Sequence, residues 1–126
     1  MLAVSASLEI ESELIPRVAT GMAGGICGTN NICGALSGGV MAMGIVMGRD
    51  NPSGQRNDIS KAAKKLIQTF SNRYGDTNCW QLLGLHPTST SEVEVIDLTV
   101  QGVSCDIYAE DVVMITMEIL DEILLG

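Results

Sequence analysis

A run of 31 residues without a charged side chain, Val18–Gly48, is the feature that most restricts the fold of this chain. Nine of these residues are glycine and two are cysteine, Cys27 and Cys33. An uncharged run of this length has to lie away from water, either in a membrane or against other parts of a protein. Two environments are therefore open to it, a bilayer and a protein core.

Polar residues near the middle of the run argue against a membrane helix. A helix needs about 20 predominantly apolar residues to cross a bilayer. The sequence GTNN, residues 28–31, divides the run, and the longer remaining piece, 32–48, is at the short end of that range. We therefore expect a buried segment of a protein that does not span a membrane.

The composition favours helices in a single domain. Phe, Trp and Tyr make up 3% of a chain that is 46% hydrophobic, so the core has to consist of Met, Leu, Ile, Val and Ala. These side chains favour helices over a sheet sandwich. A chain of 126 residues fits one domain with a modest core. We predict an all-α fold in which residues 1–126 form one compact bundle of about four main helices.

Capping residues and apolar periodicity give the expected helix boundaries. Predicted helices run from Ser12 to Gly25, from Ile32 to Met47 after caps at Asn30 and Asn31, from Asp58 to Tyr74, and from Cys105 to about Leu125 after a cap at Ser104. A short turn capped by Asp76 or Thr77 is expected at 78–84, and 86–102 fits a strand or a helix, with helix favoured. Small residues spaced four apart on the second helix predict glycine-mediated packing against a neighbour.

The charge distribution excludes some partners. The net charge is −8, and five of the seven basic residues lie within 56–73, so a basic surface for nucleic acid is not expected. The first fourteen residues contain no basic residue and do not match a secretory signal. We therefore expect a cytoplasmic protein with neither nucleic acid nor membrane as a partner. In that compartment cysteines are more often thiols, metal ligands or redox pairs than structural disulfides.

Three of the four cysteines lie in the first turns of predicted helices. There, free backbone N–H groups and the positive end of the helix dipole favour a thiolate at Cys33, Cys79 and Cys105. A thiolate attacks disulfides and binds metals. If the three helix starts converge, the sulfurs would share one glycine-lined pocket, with Cys27 in the loop just before it. Each cysteine taken alone could equally be a small buried hydrophobe.

The spacing of the cysteines does not decide between these uses. It matches neither a CxxC redox pair, nor paired zinc knuckles, nor a ferredoxin pattern. The chain contains no CxxCH sequence, so we expect no covalent haem.

Several longer motifs resemble a known family. The sequences CGALSGG and MAMGIVMGR, then YGDTNCWQLLG, then VSCDIYAEDVVMITMEIL resemble the C_GCAxxG_C_C family of redox-active proteins, from about Leu8 to the C-terminus. The family's CGAxxG element would correspond to Cys33, Gly34, Ala35 and Gly38, and its third and fourth cysteines to Cys79 and Cys105.

The resemblance leaves Cys27 without a counterpart. The family's first cysteine belongs to a helix upstream of the segment that resembles LEIESELIPRVATG, and it is absent from this sequence. Either Cys27 supplies the missing sulfur, or a short cysteine-bearing helix precedes Met1. The family is also similar to the C-terminal part of split-Soret cytochromes, which implies that the same cysteines can hold an iron–sulfur centre.

The leading hypothesis is a redox-active protein that transfers electrons by thiol–disulfide exchange, with Cys33 as the attacking thiolate, Cys79 or Cys105 as the resolving thiol and Cys27 as the fourth partner. Its electrons would come from a redox partner protein or a small thiol, and this hypothesis names no cofactor. One alternative is a binding protein without turnover of its own, in which three or four of the cysteines Cys27, Cys33, Cys79 and Cys105 hold an iron–sulfur cluster or zinc. A second alternative is a helical scaffold that pairs with itself as a homodimer or with a redox enzyme.

Overall fold

The fold is helical throughout the part that the computed structural model describes, residues 1–84 and 102–126. The helices are α1 (Leu2–Ser7), α2 (Leu14–Val18), α3 (Ala23–Ile26), α4 (Gly34–Met47), α5 (Asn57–Tyr74), α6 (Cys79–Leu83) and α7 (Gly102–Leu125), and a 3₁₀ turn, Thr20–Met22, lies between α2 and α3. Those two ranges contain no strand, only an isolated antiparallel bridge between Ile32 and Asn78. The predicted all-α class is therefore confirmed.

The core lies where α4, α5 and α7 pack against one another, each touching the other two. Its largest fully buried side chains include Leu36 and Met43 from α4, Leu66 and Phe70 from α5, and Leu120 from α7. Burial of each such side chain contributes about 1.5–3 kcal/mol to folding. The short helix α1 closes one side of this core by packing on α4 and α7.

Gly39 marks the point where the three long helices come closest. A β-carbon at Gly39 would lie 2.7 Å from Cγ1 of Val112 on α7 and 2.9 Å from Cδ2 of Leu66 on α5. Contacts under 3.0 Å essentially never occur for a real β-carbon, so a larger residue at this crossing would have to displace the Val112 and Leu66 side chains. The predicted glycine-mediated packing is confirmed at this position.

Helix α5 follows its predicted amphipathic pattern closely. Ala62, Leu66 and Phe70 are buried on one stripe, and the helix ends at Gly75, which adopts the left-handed conformation with φ 81°. The helix begins at Asn57, one residue before the predicted start.

The prediction of one continuous helix from Ser12 to Gly25 is wrong. The chain forms α2, the 3₁₀ turn and α3 in succession, and Gly24 and Gly25 within α3 have φ values of 72° and 67°. Left-handed backbone at two successive residues breaks the helical hydrogen-bond ladder, so the chain turns sharply. Ser12 still acts at the start, since its Oγ accepts a hydrogen bond from the backbone N of Leu14 at 3.2 Å.

Two predicted helix caps are also wrong. Helix α4 begins after Cys33, its N-cap residue, and not after Asn30 or Asn31. Helix α7 begins at Gly102, so Ser104 lies inside it and does not precede it. Cys105 therefore occupies the fourth position of α7, still within its first turn.

Three further sequence predictions concern the N-terminal segment, residues 86–102 and the absence of a membrane helix. Helix α1 had no counterpart in the sequence predictions, which placed no helix before Ser12. The strand-or-helix segment 86–102 lies outside the described residues, apart from Gly102 at its end. Among the described helices, none combines the length and apolarity needed to cross a bilayer.

Candidate functional site

Three of the four cysteines line one cavity of about 560 Å³. Cys33, Cys79 and Cys105 reach it from the starts of α4, α6 and α7. The residues that match the family's glycine motif, Gly34, Ala35 and Gly38, also line it. The other lining residues are mainly apolar: Met1, Leu2, Pro16, Ala19, Thr20, Met22, Ala23, Gly24, Asp106 and Ala109. The structure thus places three thiols and the predicted lining residues around one space.

A short antiparallel pairing of two backbone segments brings Cys33 beside Cys79. The N–H of Cys33 donates to the carbonyl of Thr77 at 2.7 Å, and the N–H of Cys79 donates to the carbonyl of Asn31 at 3.0 Å. These two bonds enclose the bridge between Ile32 and Asn78. The starts of α4 and α6 are therefore held together although 45 residues separate the two cysteines in the chain.

Gly25 lets the preceding loop approach this pairing. Its carbonyl accepts a hydrogen bond from the N–H of Asn31 at 2.8 Å. A β-carbon at Gly25 would lie 2.7 Å from the backbone of Asn31 and 2.8 Å from Cβ of Cys79. The left-handed φ of 67° and this lack of space both require glycine, so the loop packs directly against the cysteine.

Side chains from two loops stabilise the start of α6. Oδ1 of Asp76 accepts hydrogen bonds from the N–H groups of Thr77 and Asn78, at 2.7 and 2.8 Å. Oδ1 of Asn30 accepts one from the N–H of Trp80 at 2.9 Å. Asn30 therefore satisfies a free amide of α6 and not of α4, the helix that the sequence suggested.

Tyr108 joins the helix of Cys105 to the helix of Cys79. Its hydroxyl donates to the carbonyl of Leu82, near the end of α6, at 2.6 Å. Because Tyr108 lies three residues after Cys105 on α7, the two residues share one helix face. The ring also packs edge-on against Tyr74 and Phe70 of α5, with centroids 4.8 and 5.7 Å apart. This residue fixes α6 and α7 relative to each other beside the cavity.

An ion pair holds α7 to α5 next to these rings. Nη1 of Arg73 lies 2.9 Å from Oδ2 of Asp111, and the Tyr74 hydroxyl donates to the same oxygen. The hydrogen bonds from Tyr74 and Arg73 hold the pKa of Asp111 below its ordinary value.

Burial and mutual charge disfavour ionisation of two cavity thiols. Burial raises the pKa of Cys79, and the negative charges of Cys105 and Cys33 raise it further. Burial also raises the pKa of Cys105, with additional contributions from Cys33 and Asp106. The free amides of a helix start favour a lower thiol pKa, and burial outweighs their effect at these two cysteines.

Cys27 lies apart from the other three. It is exposed, adopts a left-handed backbone with φ 49°, and is absent from the cavity lining. Its Sγ donates to the carbonyl of Gly21 at 3.5 Å. The structure brings together Cys33, Cys79 and Cys105 and leaves Cys27 outside.

The described residues do not form a metal site. Within 1–84 and 105–126, no three Cys, His, Asp or Glu side chains lie close enough together to hold a metal ion. Sulfur ligands have to surround a zinc ion or an iron–sulfur cluster at about 2.3 Å. Among the described residues, the side chains are therefore not assembled as a set of ligands for either group.

Sequence reasoning missed Asp106, Tyr108 and the role of Asn30. The first two had a detectable signal, since they lie one and three residues after Cys105 and a helix start at that cysteine was expected. The role of Asn30 had none, because its partner Trp80 lies 50 residues away.

One family of known proteins matches almost the whole chain. A family model described as "Putative redox-active protein (C_GCAxxG_C_C)" matches residues 1–119. The chain belongs to the C_GCAxxG_C_C family. The match includes α1 and all three cysteines of the cavity, so the lining thiols lie within the part of the chain that defines this redox-active family. No curated protein and no solved structure matches the chain.

Proposed function

We propose that this protein carries out thiol–disulfide exchange with small molecules that enter the cavity. The observation that supports this most directly is that three free cysteines line a single cavity in a member of a redox-active family. Thiol–disulfide exchange of this kind needs an attacking thiolate and a second thiol within reach of the first. The presence of three thiols in the lining of this cavity supports the proposal.

Cys33 is the attacking residue in this proposal. As the N-cap of α4, it adjoins the first amides of a 14-residue helix, which have no partner within the helix and favour a neighbouring anion. A negative charge on Cys33 is among the causes that raise the pKa of both Cys79 and Cys105.

Cys105 is the preferred resolving thiol. It is the more exposed of the two candidates, and its charge interacts with both Cys33 and Cys79. In a regular antiparallel pairing, α-carbons at the diagonal positions of Cys33 and Cys79 are about 7–8 Å apart, beyond the usual disulfide range of about 4.4–6.8 Å, which disfavours a bond between these two cysteines.

The proposed reaction has two steps. The Cys33 thiolate attacks one sulfur of a disulfide RSSR, forming a mixed disulfide and releasing RS⁻, which takes up a proton. Cys105 then loses its proton to solvent and attacks the Cys33 sulfur, which releases the second RS⁻. Two electrons pass from the protein thiols to RSSR, giving two RSH and one protein disulfide. An external dithiol, small or protein-bound, restores the two protein thiols and leaves as a disulfide.

Peptide mapping of the oxidised protein tests this assignment. After treatment of the reduced protein with a small disulfide, we expect a Cys33–Cys105 bond in the wild type. The variant Cys105→Ser should accumulate the mixed disulfide on Cys33, because the resolving thiol is missing. Cys33→Ser should lose most of the exchange rate, by about two orders of magnitude.

Cys27→Ser is the matched control, since it removes an exposed thiol outside the cavity. It should leave the exchange rate and the mapped bond unchanged. A wild-type rate no greater than that of the urea-unfolded chain would refute the proposed function. A dominant bond that includes Cys27 would refute the assignment of residues.

A further inference from the structure

We propose that this cavity accepts neutral or cationic small organic disulfides and excludes anionic ones. The inference rests on the exchange function proposed above and adds the substrate class. It follows from the charge and polarity of the walls around the three thiols.

Asp106 is the one charged side chain among the described residues that line the cavity, and no lysine or arginine accompanies it there. It directly follows Cys105, and its charge is one of the causes that raise the pKa of that thiol, after burial and Cys33. A carboxylate that acts on the sulfur also acts on a charged group carried by a molecule bound to that sulfur. It attracts a cation and repels an anion at the place where exchange occurs.

The amino group of Met1 compensates this charge less as the pH rises. It lies at the wall formed by Gly38, where a β-carbon would be 3.2 Å from the Met1 nitrogen. Burial lowers the pKa of this amino group from its ordinary value, which disfavours its cationic form.

The remaining wall is largely apolar. Pro16, Ala19, Met22, Ala23 and Ala109 contribute to it. A carboxylate that enters such a space loses hydration and meets no lysine or arginine among the described lining residues, so only the free amides at the helix starts would attract it, whereas an aliphatic chain gains from leaving water. The volume of about 560 Å³ is within the range of small-molecule sites, so the space suits a whole small disulfide.

The protein's net charge acts in the same direction but at longer range. The chain has a net charge of −8. At physiological salt, charges more than about 8 Å from the site are largely screened. The selectivity should therefore depend mainly on Asp106, which distinguishes it from a general effect of an acidic surface.

Three disulfides of equal chain length test the inference. Cystamine, 2-hydroxyethyl disulfide and 3,3′-dithiodipropionate carry two positive, no and two negative charges. Each exchange rate is measured at about pH 8.5, where the Met1 amino group is mainly neutral. Each is then divided by the rate of the same reagent with the urea-unfolded chain. We expect the corrected rate of the dianion to be at least about tenfold below those of the other two.

Asp106→Asn removes the charge at the cavity, and Asp121→Asn removes an equal charge from an exposed position about four turns further along α7 and outside the lining. Asp106→Asn should raise the corrected rate of the dianion about fivefold or more, whereas Asp121→Asn should leave it near the wild-type value. Equal responses of the two variants would contradict the inference, as would a dianion that reacts as fast as the neutral reagent.

Alkylation separates this inference from the exchange function. Iodoacetamide and iodoacetate differ by one charge and modify thiols without any disulfide. Absence of exchange with all three disulfides would refute the exchange function. A lower corrected rate for iodoacetate, restored by Asp106→Asn, would still support the charge selectivity of the cavity, and equal corrected rates for both reagents would refute it.

Discussion

At Cys79 and Cys105, burial in the cavity disfavours the thiolate even though each residue lies in the first turn of a helix. The free amides of a helix start stabilise a negative charge, but a wall of apolar side chains removes the water that would stabilise it more. The two effects have opposite signs, and their balance depends on burial. The position of a cysteine at a helix start was predictable from sequence, whereas its burial was not.

The raised pKa of Cys79 makes the stability of the reduced protein depend on pH. The folded state retains the Cys79 proton to a higher pH than the unfolded state, where the ordinary value is near 9.0. Above that value the unfolded chain has released a proton that the folded chain keeps, so rising pH favours unfolding. We expect the free energy of unfolding to decrease as the pH rises from about 9 through the folded-state pKa.

Urea denaturation under reducing conditions, between about pH 7 and pH 10, measures this dependence. Cys79→Ser, which has no thiol proton to lose at that position, should show a smaller decrease over the same interval. A decrease of the same size in both proteins would assign the effect to other groups, such as the tyrosines.

At the scale of elements, the site depends on a contact between two loops. Residues 31–33 pair with residues 77–79, and Asn30 accepts a hydrogen bond from the N–H of Trp80. From the sequence, Asn30 and Asn31 were typical caps for the helix that follows them. The backbone of Asn30 instead adopts a left-handed conformation with φ 57°, and its side chain reaches a helix 50 residues later. Local sequence patterns cannot predict this hydrogen-bond partner, because it depends on how α5 brings residues 77–80 back beside residues 30–33.

Asn30→Gly tests the contribution of this contact to stability. Glycine keeps the left-handed backbone and removes the acceptor oxygen, so we expect a loss of about 1 kcal/mol in the free energy of unfolding. Asn30→Asp retains an acceptor and should stay close to the wild type. Urea denaturation of both variants gives the comparison, and equal stability of the glycine variant and the wild type would show that the hydrogen bond contributes nothing.

Tyr108→Phe tests whether the link between α6 and α7 positions the thiols. The substitution keeps the packed ring and removes the hydroxyl that donates to the Leu82 carbonyl. We expect a stability loss of about 0.5–1.5 kcal/mol. If the link also positions Cys105, closure of the protein disulfide should slow while the first attack by Cys33 does not.

Stopped-flow measurement of the two steps separates these effects. Tyr74→Phe removes the hydroxyl that binds Asp111, an acceptor outside the cavity lining, and serves as the control. Equal slowing of closure in both variants would mean that the Tyr108 bond contributes only to general stability.

At the scale of the whole molecule, the fold class and the glycine crossing of the long helices were predictable. The scarcity of aromatic residues, the amphipathic α5 and the small residues of α4 are local or compositional properties. Such properties did not predict the helix break at Gly24 and Gly25 or the convergence of three helix starts. They arise from contacts between distant segments, such as Gly25 against Cys79.

Two glycines of α4 provide a matched test of the helix crossing. At Gly39 a β-carbon would lie within 3.0 Å of α5 and α7 side chains, whereas at Gly44 its nearest neighbour would be Cδ1 of Ile59 at 3.7 Å. Gly39→Ala should destabilise the protein by about 1–3 kcal/mol through overpacking. Gly44→Ala should stabilise it by about 0.5–1 kcal/mol, because alanine favours a helix.

Thermal unfolding of the two variants shows whether each substitution stabilises or destabilises the protein as the free space around its β-carbon predicts. Stabilisation by both substitutions would mean that the three helices can separate at Gly39 without cost.

The hydrogen bonds between the paired loops allow opening of the site to be measured by hydrogen exchange. The amide protons of Cys33 and Cys79 are both donated across the loop pairing, to Thr77 and Asn31. Such protons exchange with deuterium only when the two segments separate. Their exchange rates therefore record how often the assembled site opens, residue by residue, without any label on the sulfur atoms themselves.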